Sequence, residues 1–123
     1  MVLPTVDVMP IIRRNPALLR KARFLDLCFD FLVGASRYRV TVDRGDIRVR
    51  PAGRASGGAF ELQASESVWQ AYASPDRKPQ YHDIIALIES GHLDVTGDML
   101  LFFRNLFLIK GVMAAAWRAD ASW

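Results

Sequence analysis

Cysteine occurs once in the 123 residues, at Cys28. An internal disulfide framework and any paired-cysteine redox or zinc-ribbon site are therefore excluded. Histidine occurs twice, at His82 and His92, which excludes metal sites built from several imidazoles. Lysine is scarce, three residues against thirteen arginines, so the basic surface is made of planar, bidentate donors suited to phosphate or carboxylate. No glycine-rich phosphate loop of the dinucleotide or nucleotide-binding type is present, and no internal repeat or low-complexity segment. A clean membrane span is also missing, because Arg104, Asn105 and Lys110 interrupt the most apolar stretch, residues 99–117. Arg13 to Arg23 precede an apolar run in the manner of a secretory leader, but Asp26 and Asp30 break that run. The expectation is a soluble or peripheral protein, cytoplasmic by default.

What is present is an unusual pairing of grease and positive charge. Apolar residues make 51% of the chain and charged residues 24%, with a mean hydropathy of +0.10 and an isoelectric point near 9.4. The chain is long enough for one domain with its own core. Charge is unevenly placed: residues 1–54 hold eleven Arg or Lys against five Asp or Glu, and residues 55–123 hold five against eight. Either a solvated face or a surface for an anionic partner accounts for the basic half. A net charge of +3 without a recognised nucleic-acid motif gives no reason to expect nucleic acid.

Along the chain, residues 1–14 with Pro4 and Pro10 read as an irregular leader, and residues 15–123 as a single domain. Asn15-Pro16 is a helix-start signal, and the spacing of Arg23, Asp26 and Asp30 predicts a helix from Ala17 to Val33, capped by Gly34. Tyr38 to Val42 and Ile47 to Val49 alternate apolar and polar around Asp43-Arg44-Gly45-Asp46, predicting a hairpin. Its polar face carries Arg37, Arg39, Arg48 and Arg50, an anion or membrane surface in one reading and splayed solvated arginines in the other. Arg39 and Arg50 fall opposite one another, an unfavourable pair unless solvent or an anion intervenes. Residues 60–64 predict a third strand, residues 66–73 a helix behind the cap Ser65, residues 81–90 another helix, and residues 93–95 a short strand. Asp98 can cap a final helix over residues 99–117. This order predicts α+β architecture, a mainly antiparallel curved sheet with helices packed on one face and a closing C-terminal apolar helix.

That last helix is apolar over 15 of 19 residues and over most of its circumference. Such a helix is buried on several sides, lines a ligand cavity, or meets lipid or another subunit. Removing it leaves 48 apolar residues in 104, an ordinary composition.

Three segments carry a resemblance. Phe60-Glu-Leu-Gln-Ala-Ser-Glu-Ser-Val-Trp69, Ile88-Glu-Ser-Gly-His-Leu-Asp-Val-Thr-Gly-Asp98 and the hairpin Arg39-Val-Thr-Val-Asp-Arg-Gly-Asp-Ile-Arg-Val49 together resemble the sterol carrier protein type 2 family. The likeness spans roughly residues 17–117. It implies a curved sheet with helices across one face and an apolar tunnel between them. It also implies non-enzymatic binding or transfer of a lipidic ligand: a sterol, an acyl chain or, as in accessory proteins of quinone biosynthesis, a prenyl-quinone. The ligand-binding residues expected on this basis are Trp69, Tyr72, Tyr81, Ile84, Ile85, Ile88, Leu100, Phe103, Leu106 and Phe107. No cofactor, catalytic residue or metal ligand is expected; peripheral membrane contact and a homodimer are the partner expectations beyond the lipid. Two other classes remain open: a small isomerase or cyclase using His82, Asp83 or Asp98, and an interaction module dimerising through its apolar helix.

Overall fold

The computed structural model describes residues 3–54, 57–76 and 78–119. Eleven elements run in the order α1 (Met9–Ile12), α2 (Pro16–Ala22), β1 (Asp26–Val33), β2 (Ser36–Asp43), β3 (Asp46–Ala52), β4 (Phe60–Ala64), α3 (Glu66–Ala73), α4 (Ile84–Glu89), β5 (Asp94–Gly97), α5 (Met99–Arg104) and α6 (Leu106–Arg118). The five strands form one sheet in the order β3-β2-β1-β4-β5. Three of its four pairings are antiparallel, and β1 with β4 is parallel. The expected α+β class with a mainly antiparallel sheet and a C-terminal apolar helix is what the chain adopts.

The helix expected over residues 17–33 is the main correction. Only Pro16–Ala22 is helical, opened by Asn15, whose side chain accepts from the Leu18 amide. Asp26–Val33 is instead the central strand of the sheet. The reason is visible in the residues: Leu27, Phe29 and Phe31 alternate with Asp26, Cys28 and Asp30, a period of two that places the first three inward. The acidic residues at positions 26 and 30 also fit a helical stripe, and sheet pairing on both edges decides between the two. Gly34, expected as a helix cap, is left-handed at φ +60° and turns β1 into β2, so that Val33 pairs with Ser36. Cys28 accordingly lies on a strand.

The predicted hairpin is present, with Val40 opposite Val49 and Val42 opposite Ile47. Its two-residue turn has φ +49° at Arg44 and +92° at Gly45, the handedness that matches the twist of the flanking strands. Ser65 and Asp98 cap α3 and α5 as expected, accepting from the amides of Val68 and Leu101. The last helix is broken. Asn105, at φ −110° and ψ 22°, separates α5 from α6, and its side-chain amide donates to the Leu101 carbonyl at 2.9 Å. The helix expected over 81–90 is shorter, Ile84–Glu89, because Asp83 caps it by accepting from the Ile85 amide.

All the helix-facing strand residues belong to one core: Leu27, Phe29 and Phe31 of β1, Val40 and Val42 of β2, Ile47 and Val49 of β3, Phe60 and Leu62 of β4. The leader joins it, contrary to the irregular arm expected, since Val8, Ile11 and Ile12 of the α1 region are buried there. The opposite sheet face is polar.

Candidate functional site

The apolar face of the sheet and the helices over it enclose an interior dominated by aromatic rings. Trp69 of α3 stacks on Trp117 of α6, with ring centres 5.1 Å apart and planes within 7°. Phe31 meets both indoles edge-on, at 5.9 and 6.1 Å. Toward the other end, Phe29 stacks on Phe60 at 5.0 Å, and Phe60 meets Phe102 of α5 edge-on at 5.4 Å. The Trp69 indole N–H donates to the Leu32 carbonyl at 2.8 Å, as a buried indole requires. The Trp117 indole nitrogen is buried with no hydrogen-bond partner among the described residues.

Of the ten expected ligand residues, Trp69, Tyr72 and Ile84 are buried in this interior. Tyr81, Ile88 and Leu106 are half-buried and packed against it, and Ile85 is half-buried. Leu100, Phe103 and Phe107 point outward instead, 69%, 56% and 43% exposed. Within α5 only Phe102 is buried, so this short helix turns most of its apolar surface away from the core. Phe29, Phe31, Phe60 and Trp117 also wall the interior and are not among the expected residues; Phe102 is one of the aromatic candidates that the sequence offers for a cavity lining. The alternation of β1 held the signal for the first two; nothing local marks Phe102 as the inward member of Phe102-Phe103.

The hollows described elsewhere are more polar. One of about 470 Å³ lies against Leu32, Arg37, Tyr38, Pro51 and Arg54. Another of about 550 Å³ lies against Gly34, Gln63, Ser65, Val68 and His92.

The arginine face of the sheet is largely neutralised from within. Across the strands Arg50, Arg39, Asp30 and Glu61 form one row. Asp30 is fully buried and accepts from Arg39 Nε at 2.9 Å, Arg37 Nη1 at 2.7 Å and the Gly57 amide at 3.3 Å. Arg37 also pairs with Glu61 at 2.5 Å. Burial by itself pushes the Asp30 carboxyl upward; the donors from Arg39, Arg37 and Gly57 outweigh it and hold the group below its ordinary value. Arg48 is paired with Asp46 at 2.7 Å. The unfavourable Arg39–Arg50 pairing is thus relieved by a buried carboxylate on the far side of Arg39.

The residues raised for acid–base chemistry have separate structural tasks. Asp83 caps α4 and pairs with Lys110 at 3.0 Å, and these contacts overcome burial to keep its carboxyl below the ordinary value. Asp98 caps α5. His82 Nδ1 lies against the Pro79 carbonyl, while His92 stacks on Tyr81 with centres 4.9 Å apart. Arg118 ties this region down, donating to the carbonyls of Tyr72, Tyr81 and His82. Among the described residues no cluster of three His, Cys, Asp or Glu is placed to hold a metal ion, and no helix is long and apolar enough to cross a membrane.

No protein-family model matches the sequence, and no curated protein does. Solved structures do. A sterol carrier protein 2 superposes with a TM-score of 0.69 at 11% identity, over 93% of this chain and 92% of that one. The UbiJ-SCP2 ubiquinone synthesis protein gives 0.57 at 20% identity, over 85% and 84%. The apo form of sterol carrier protein 2 from Yarrowia lipolytica gives 0.56 at 13% identity, over 90% and 84%. The chain has the fold of the sterol carrier protein 2 domains, as its three segments suggested.

Proposed function

We propose that this chain is a non-enzymatic carrier that binds an apolar, lipidic molecule between the sheet and its helices. The observation that carries the reading is the state of α5. Its one fully buried side chain is Phe102, with Leu101 partly buried against the core, and it is joined to α6 through the irregular Asn105. A helix held this lightly is the element a ligand displaces at least cost, because few buried apolar contacts must be given up. Moving Phe102 off Phe60 opens a path to Phe29, Phe31 and the Trp69–Trp117 stack.

Binding then comes from burial of the ligand's apolar surface, at about 25 cal/mol per Å². A few polar groups orient its head. The buried Trp117 indole N–H is suited to that task, since an oxygen of the ligand would satisfy a donor that has no acceptor among the described residues. Trp69, Tyr72, Ile84, Ile88 and Leu106 are proposed as walls of the occupied site. The fold shared with sterol carrier protein 2 and with a ubiquinone synthesis protein supports sterols, acyl chains and prenyl-quinones as the classes to test.

The test is mass spectrometry of lipids extracted from the protein purified out of its native host. A defined lipid at near-equal molar amount supports the reading. Consistently empty protein, whose melting temperature no sterol, fatty acid or prenyl-quinone shifts, refutes it.

A further inference from the structure

We propose that the hollow where the β1–β2 turn meets the last residues of β3 binds a small organic oxyanion, a carboxylate or phosphate ester on a short apolar body. The site needs no cargo between the sheet and the helices, so it goes beyond the carrier reading. The hollow measures about 470 Å³, within the range of small-molecule sites. The register of the strands builds it: Leu32 stands opposite Arg37, and Arg37 opposite Ala52. Ala35 and Pro51 extend the apolar part of the lining, while Ser36 and Arg54 add donors. An apolar lining with a few charged donors gathered in one place both holds and orients a small ligand.

Arg37 is the anchor. Its side chain is only 11% exposed, and its Nη1 donates to Asp30 at 2.7 Å and to Glu61 at 2.5 Å. These contacts fix the guanidinium plane, while Nε and Nη2 meet no acceptor among the described residues. Nε and Nη2 form one edge of the fork, the edge that gives two parallel hydrogen bonds to a carboxylate or phosphate. Because the group is already held, little side-chain entropy is lost when a ligand arrives. The balance of charge favours an anion too. Asp30 and Glu61 offset Arg37 and Arg39, which leaves Arg54, exposed at the rim, without a carboxylate partner among the described residues. A smaller hollow of about 270 Å³ against Thr41, Arg48 and Arg50 differs in this respect, since Asp43 and Asp46 belong to its own lining and cancel the charge.

Heteronuclear NMR titration of the intact chain with benzoate, phenyl phosphate and benzyl alcohol tests the proposal. Benzoate or phenyl phosphate is expected to saturate, with shifts centred on the amides of residues 35–38 and 52–54, and the tighter of the two identifies the head group. Benzyl alcohol, the uncharged analogue, should bind at least about tenfold more weakly. Arg54→Gln should weaken the anion by about tenfold, through loss of a charge-assisted contact. Ala52→Phe sets a ring beside Arg37 with every charge retained, and should abolish saturation. Arg50→Gln should bind as the wild type does. Circular dichroism verifies that each variant is folded. The proposal is overturned if neither anion saturates, if benzyl alcohol binds equally well, or if the shifts gather around Phe102 and Trp117 instead. It is equally overturned if folded Arg54→Gln or folded Ala52→Phe binds like the wild type. Cholesterol uptake separates these outcomes from the carrier reading, because Arg54→Gln should take up cholesterol undiminished. A protein that binds benzoate but no lipid keeps this site and loses the carrier role; one that takes up cholesterol but neither anion keeps the carrier role and loses this site.

Discussion

Asp30 offers a quantitative check on how the sheet is held together. It is a fully buried carboxylate in the central strand that accepts from two arginines and one backbone amide. Asp30→Asn preserves shape while removing the charge. It leaves the Arg39 guanidinium without its buried counter-ion, and a side-chain amide nitrogen, itself a donor, facing other donors. Breaking a buried pair from one side costs about 3–5 kcal/mol. Arg37 retains Glu61 at 2.5 Å, so we expect the low end, about 3 kcal/mol, equivalent to roughly 10 °C in melting temperature for a domain of this size. Urea unfolding at neutral pH measures it directly.

The pH dependence supplies a second axis. The folded-state carboxyl titrates below the unfolded value of 3.8. Its contribution is therefore complete above that value and is lost as pH falls through the lower folded-state pKa. The wild-type protein should lose stability steeply in acid, and Asp30→Asn should lose less over the same interval. A neutral-pH change under about 0.5 kcal/mol, or an unaltered acid limb, would refute the reasoning. A loss confined to lipid uptake, with stability intact, would assign Asp30 to the site instead.

Two further perturbations follow from backbone and indole geometry. Gly97 sits at φ +110°, and a β-carbon there would lie 2.6 Å from the Ala59 carbonyl oxygen and 2.7 Å from the Phe60 α-carbon; Gly97→Ala should cost at least about 2 kcal/mol by thermal unfolding, and a neutral result would contradict the β4–β5 register. Trp69→Phe forfeits the hydrogen bond to Leu32, whereas Trp117→Phe forfeits none among the described residues. The first should therefore destabilise by about 1–2 kcal/mol more than the second in chemical denaturation, and the reverse order would rule out this assignment of donors.

How much of this was legible in the sequence differed by element. The β2–β3 hairpin, α3 behind Ser65 and the Asp98 cap were legible because alternation, turn residues and capping residues act locally. The central strand β1 was not, since Asp26 and Asp30 satisfy a helical stripe as well as a strand period, and only pairing with both β2 and β4 chooses between them. The break at Asn105 was hidden inside an apolar run whose composition suits a continuous helix; the asparagine side chain ends α5 by bonding to the Leu101 carbonyl. Of the residues expected at the site, Trp69, Tyr72 and Ile84 lie inward. Leu100, Phe103 and Phe107 do not, because the break changes which side of each half-helix the sheet receives. The arginines read as an anion surface were legible on one face, but Asp30 was hidden because its segment suited a helix, and Glu61 comes from β4, distant in sequence.

The central claim is that an apolar molecule enters beneath α5 and occupies the space against the sheet. Hydrogen exchange of the intact chain, followed by mass spectrometry with and without a bound prenyl-quinone, sterol or fatty acid, tests it most directly. The account predicts that residues 99–105 exchange faster than α6 in the cargo-free protein, and that cargo slows exchange there and in the facing β4 strand. Unchanged exchange in residues 99–105, or protection confined to the polar face around Arg39 and Arg50, would contradict it.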